Sequence, residues 1–410
     1  MRMKSGWALA FVILPLAALM MSCSNSNNVN TTGYVWVATS GDQKLTVFAV
    51  SLSSGATSRV GSQVATGVQP SAMAISPDRK VLFLANTTDN TIAVYTINSD
   101  QSVKPACPSS QSCTTATVPS GESPVGLAVD PAGKFLFVTN QGTFVDPASG
   151  TISVFSISGT ALTEVPGSPF PTEVLGDVTG SGPTGVIAAP AGNFLYVTNQ
   201  FTNSIELFSY DANTGALTLP PTRYTAGTNP SGLAFSRCAG FTTETSACAS
   251  ADENNLFVAN SGSNNVSIFT ACIQVSPLCA NADGSLIPLS SSPVSSGISP
   301  TSFIINPVAN FVYVVDSGAN QISQYQYNAS TGALTALSTP AVSTSSSPGA
   351  GGMTSDGSFL FVPDRGGSTM SVFRANSVVA AAGTAPTGRL SPAPNPSVSL
   401  SGQPSVLLVK

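Results

Sequence analysis

The chain has 410 residues, of which only 14 are Lys or Arg, 19 are Asp or Glu and none is His. Charged residues make up 8% of it, against roughly a quarter in an ordinary globular protein, so it lacks the cationic footprint of a nucleic-acid binder. Without histidine there is no His-based triad, imidazole base or His metal ligand, and 42% hydrophobic residues argue against charge-driven disorder.

Residues 1–22 read as an export signal. Arg2 and Lys4 precede an apolar run, Trp7 to Met21, that is short for a membrane span. The run ends in Met20-Met21-Ser22-Cys23, which resembles a bacterial lipobox, with Met20 where that pattern prefers Leu. Cys23 is then the expected lipidation site, and residues 23–32 a polar tether. The expected location is the periplasm or cell surface, with the membrane met through this lipid alone. Six cysteines remain in three near pairs: Cys107 and Cys113, Cys238 and Cys248, Cys272 and Cys279. Local disulfides are the simplest pairing in an oxidising compartment. A zinc site, the competing reading, needs CxxC-like spacing or histidines, and neither is present.

From residue 33 onward the sequence repeats. FLFVTN at 135–140 recurs as FLYVTN at 194–199, NLFVAN at 255–260, FVYVVD at 311–316 and FLFVPD at 359–364. Earlier copies are YVWVAT at 34–39 and VLFLAN at 81–86. Such apolar, β-branched and aromatic runs predict buried strands. A short Gly/Asn/Asp/Ser turn leads each into an alternating strand, as at 91–95, 151–155 and 204–208. Upstream, a strand beginning at proline recurs at Pro70, Pro124, Pro183, Pro230, Pro300, Pro348 and Pro404. Two positions later stands Ala72, Gly126, Gly185, Gly232, Ser302, Ala350 or Val406. The small side chains in six of these suit innermost strands crowded around one axis.

Inner strand, apolar strand, alternating strand and variable outer strand make a four-stranded antiparallel blade. Seven of them predict a seven-bladed β-propeller over residues 33–410. The chain starts in mid-blade and ends on an unpaired inner strand at 402–410, which should close the ring. The two or three domains that the length allows thus reduce to one ring.

YVTN at 196–199 and PAGKFLFVTN…GTISVFSI at 131–157 resemble the YVTN-type repeat and the seven-bladed lactonase family, named for 6-phosphogluconolactonase. The resemblance implies the fold. It also raises lactone hydrolysis, which carboxylates could support directly or through Ca²⁺, no cofactor being required. By way of the family's fungal carboxymuconate-lactonising members, the resemblance implies a site of His, Glu and Arg. This chain has no His, so no catalytic residue carries over.

Chain direction places the hairpins and the loops entering the inner strands on one face, the top; all three cysteine loops are expected on the bottom. The hairpin at 141–150 and the loop before Pro183 are long. Glu122, Asp146, Glu173 and Asp177, beside Phe144 and Phe170, form a candidate ligand or Ca²⁺ set. Asp364 and Arg365 make a second candidate, pairing an acid with a base in one top hairpin. The strand-end Asn and Asp residues are expected to bond local backbone. The leading functional expectation is a monomeric, lipid-anchored scaffold binding an envelope protein or glycan. The alternative is a lactonase-like hydrolase acting on a small lactone or sugar. An adhesion role is a third.

Overall fold

The computed structural model describes residues 32–107, 116–143, 145–146, 149–172, 180–236, 254–377 and 386–409. The export signal, Cys23 and the tether up to residue 31 lie outside them.

The described residues form seven antiparallel sheets. The third blade shows the pattern. Pro124–Val129 is innermost, Phe135–Asn140 is next, Thr151–Ser158 is third, and the pieces Ala161–Glu164 and Phe170–Pro171 form the outer edge. In blade one, Pro404–Val409 pairs with Thr32–Thr39, with Val37 opposite Leu407 and Val35 opposite Val409. The last strand of the chain therefore completes the first blade. Each inner strand also packs against those of both neighbouring blades, which closes the ring.

Second strands are apolar throughout because both of their faces are covered. In Val81–Asn86, Leu82 and Leu84 pack with Trp36 and Leu45 of blade one. Phe83 and Ala85 point the other way, onto Leu136 and Val138 of blade three. A hydrophobic cluster of this kind fills each of the seven junctions. Full burial of one such side chain contributes about 1.5–3 kcal/mol. The small residues after the inner prolines are explained by crowding. A Cβ on Gly126 would stand 2.6 Å from the Thr184 carbonyl oxygen, and one on Gly232 would stand 2.4 Å from that of Thr301.

Three expectations need correction. The inner strand of blade seven is only Gly352–Met353, with an isolated bridge between Pro348 and Asp364. Gly349, Gly351 and Gly352 interrupt it, and glycine weakens a strand. Second, Cys107 does not follow a third strand on the bottom face. The outer strand of blade two is split into Val103–Pro105 and Thr117–Pro119, and both pieces pair with Thr91–Ile97. Ala106 and Ala116 both bond the Val94 backbone, so Cys107 leaves from mid-height on the outer rim. It is disulfide-bonded. Third, Phe170 is buried in the core between blades three and four, not displayed on the top. It pairs with Ile152, which fixes the outer edge of its blade.

Cys272 and Cys279 form a disulfide at the bottom end of Asn265–Ala271, as expected. Cys113, Cys238 and Cys248 lie outside the described residues.

Candidate functional site: the axial mouth

The top face is built by one device used repeatedly. In six blades the residue before the inner proline has a left-handed backbone, with φ between 49° and 61° at Gln69, Ser123, Gly182, Asn229, Ser299 and Ser347. Non-glycine residues adopt this region at some cost. Four of the six are clamped by the last residue of the preceding hairpin. The amide oxygens of Asn90, Asn203, Asn264 and Asn320 accept the N–H of Ser123, Asn229, Ser299 and Ser347 at 2.7–2.9 Å.

The strand-end residues form a fully buried ring beneath. Asn260 accepts the Gly227 N–H at 3.0 Å and donates to Asn265 and Ser267. Asn86 and Asn140 are bonded in similar ways. Asp316 accepts from the hydroxyls of Ser296 and Ser323, and Asp364 from those of Thr369 and Ser371. Burial pushes both carboxyls above the usual range, because it disfavours the charged form. The role is structural in these five blades, but the partners are not the backbone of the following turn, as expected: they are mainly side chains of the third strand, with the Gly67 and Gly227 N–H groups of the loops entering the inner strands.

The next position in each hairpin lines the mouth of the axis: Ser40, Thr87, Gln141, Gln200, Ser261, Ser317 and Arg365. Each N–H bonds the carbonyl of the residue before its own inner proline, at 2.8–3.0 Å. Thr87 and Arg365 reach across to the next inner strand. Thr87 Oγ1 donates to the Pro124 oxygen at 2.8 Å, and Arg365 Nε donates to the Ser405 oxygen at 3.0 Å. Gln141 and Gln200 are half-buried, and their side chains make no hydrogen bond among the described residues.

Arg365 is exposed as a residue, yet surrounding protein pulls its pKa down by desolvation. A guanidinium at a channel mouth meets both conditions, and it stays charged. It makes no ion pair with Asp364, whose carboxylate faces the other way, into the hydroxyls of Thr369 and Ser371. The expected acid–base pair is therefore two separate groups. In a seven-membered ring, the positions opposite blade seven are those of blades three and four. The mouth thus sets one cation against two amides, with hydroxyls between. None of its seven residues is a carboxylate.

The other sequence candidates sit further out. Glu122 and Asp146 are exposed. The Glu122 carbonyl accepts the Gly142 N–H at 3.4 Å, so its loop touches the long hairpin. A Cβ on Gly180 would stand 2.2 Å from the Thr143 oxygen, so the end of the next loop reaches the same hairpin. Phe144, Glu173 and Asp177 lie outside the described residues. Among the described residues no three acidic or cysteine side chains are grouped to hold a metal ion. Of the mouth residues, sequence reasoning named only Arg365. Aligning the strand copies and reading one column past the terminal Asn would have found the rest.

A family model described as a lactonase, a seven-bladed β-propeller, matches residues 148–271 and 246–393, together more than half of the chain. A 6-phosphogluconolactonase of Formosa agariphila is 36% identical over 93 residues, 22% of this chain and 23% of that protein. One from Pectobacterium carotovorum is 27% identical over 170 residues, 40% of this chain and 45% of that one. The matched stretches thus span less than half the length of these relatives. Among solved structures, the periplasmic gluconolactonase of Pseudomonas aeruginosa superposes with a TM-score of 0.69 at 18% identity, covering 92% of this chain and 99% of that one. At that identity the likeness concerns the fold.

Proposed function

The chain belongs to the lactonase family of seven-bladed β-propellers, and from that premise we propose that it acts on an unphosphorylated sugar lactone at the axial mouth. The observation that carries this reading is the make-up of the mouth: Arg365 on one side, Gln141 and Gln200 opposite. A guanidinium polarises a lactone carbonyl and holds the carboxylate that hydrolysis produces. Side-chain amides give and accept hydrogen bonds, which suits the hydroxyls of a sugar. A phosphorylated lactone would want a second cation, and the mouth has one.

In the reaction, water adds to the carbonyl carbon, the ring C–O bond breaks, and an aldonate with a new hydroxyl leaves. The proton lost by water passes to solvent, because no mouth residue is a carboxylate. Arg365 contributes by stabilising charge on the carbonyl oxygen, an effect worth about 10²–10³ in rate for one well-placed donor. Export through residues 1–22 and anchoring at Cys23 would put a monomeric protein in the periplasm or on the cell surface. The periplasmic gluconolactonase that shares the fold is consistent with that placement.

The same lack of a carboxylate favours a second reading, a propeller that binds aldonates without turnover, closer to the scaffold expectation. Kinetics on D-glucono-1,5-lactone with calorimetry on D-gluconate separate the two. The lactonase reading expects Arg365→Ala to lower kcat/KM about 100-fold and Arg365→Lys to recover part of it. Gluconate binding without lactone turnover would leave the binding module. Turnover and binding both indifferent to Arg365→Ala would remove the mouth from the account.

A further inference from the structure

Six blades enter their inner strand by the same short step. The residue whose N–H bonds the last carbonyl of the preceding hairpin stands four positions before the proline, as Ser120 does before Pro124 and Ala226 before Pro230. In blade four that residue is Thr172, eleven positions before Pro183. Two further parts of the repeat fail in the same blade. The serine that answers the strand-end residue, such as Ser267 under Asn260, stands in blades three, five, six and seven; blade one has Thr46 there, blade two Ala93, and blade four the charged Glu206. Glu206 turns to Arg223, its Oε1 accepting Nε at 3.2 Å and Nη2 at 2.9 Å. The glycine that should cap the strand-end amide, as Gly227 caps Asn260, is also missing, for Gly180 lies instead against the carbonyls of Thr143 and Asp146.

Asn199 is fully buried, and neither its Oδ1 nor its Nδ2 has a hydrogen-bond partner among the described residues. The hydroxyls of Thr172 and Ser181, buried at the same junction, are bonded to each other, and that of Thr172 also donates to the Gly150 oxygen. A buried amide without partners destabilises a fold more than an apolar side chain of the same shape would. A leucine would fill the position with no polar atom to satisfy.

We infer that Asn199 is a ligand-binding group, its amide receiving one hydroxyl of a polyhydroxy ligand that enters beside Gln200. An amide with both its acceptor and its donors vacant fits a partner that gives and accepts together, which a hydroxyl does and a carboxylate or cation does not. Gln200 is the adjacent residue and stands at the mouth, opposite Arg365. The inference deepens the lactone reading and rests on it for the ligand class. Carbonyl and hydroxyl ends would be held at opposite sides of one ring.

The test uses the full chain, D-glucitol as an uncharged polyol and D-gluconate as its charged counterpart. Asn199→Leu should weaken binding of both at least tenfold while its unfolding midpoint stays level or rises. Asn260→Leu, which removes a bonded sibling, should lower the midpoint. A fall in Asn199→Leu as large as that in Asn260→Leu overturns the inference, because the amide then has an internal structural role. Unchanged affinity for both polyols overturns it, as does a wild-type protein that binds neither. Arg365→Ala decides the lactone reading separately: it should weaken gluconate and spare glucitol.

Discussion

The junction between blades four and five and the junction between blades three and four are built from the same parts and end differently. At the first, Asn203 clamps the Asn229 N–H, and Asn260 is satisfied by Gly227, Asn265 and Ser267. At the second, the hairpin ends in Gly150, which has no side chain to clamp with. There Glu206 has left for Arg223, and Asn199 is buried without partners among the described residues. Repetition marks what the ring needs in order to stand. The place where it lapses holds polar groups the ring does not need, which is where chemistry can be read.

The largest effect precedes any contrast between junctions, because both depend on closure. Removing residues 403–410 leaves blade one with three strands and strips Leu407 and Val409 from the cluster that holds Phe359 and Phe361. Two buried aliphatic side chains alone are worth about 4–10 kcal/mol, so the cooperative urea transition should disappear. Next comes the direct contrast. Asn260→Leu should lower stability by about 2–4 kcal/mol, the scale of several buried hydrogen bonds with their partners left unpaired, while Asn199→Leu should lower it by none. Equal losses in chemical denaturation would break the comparison.

A pH experiment sharpens it on the satisfied side of the ring. Burial raises the carboxyls of Asp316 and Asp364 above the ordinary 3.8, to which they return on unfolding. The folded protein therefore binds more protons in the window between 3.8 and the raised values. The sign follows: these groups penalise the fold at neutral pH, and the penalty fades as pH falls through that window. Asp78, Asp211 and Asp283 are shifted down by hydrogen bonds to their charged forms, so their contributions are lost only below 3.8. Replacing Asp316 and Asp364 by Asn should raise the urea midpoint at pH 7 and flatten its rise on going to pH 4.5. A steeper rise would contradict the burial argument. The smallest effect belongs to Arg365→Ala, which should change stability by under about 0.5 kcal/mol, because its one bonded partner is a carbonyl at the surface.

Much of the fold was legible because it is written seven times. The inner prolines, the small residues after them and the apolar second strands each recur, and the orphan strand at 404–409 pointed to closure. What escaped were single departures from the pattern. Phe170 looked like a loop aromatic near the top, but pairing with Ile152 turns it into the core. Cys107 looked like a bottom loop because nothing in the sequence shows an outer strand broken in two. Gln141 and Gln200 are ordinary polar loop residues until the register sets them opposite Arg365. Asn199 was hidden by its likeness to its siblings, since what distinguishes it is the absence of partners that only packing reveals.

The most direct measurement is a structure of the full chain with D-gluconate bound. The account predicts the carboxylate on Arg365 at the axial mouth and a sugar hydroxyl on Asn199 beside Gln200. Gluconate lodged on the bottom face or outer rim, with Arg365 still bonded only to Ser405, would contradict it.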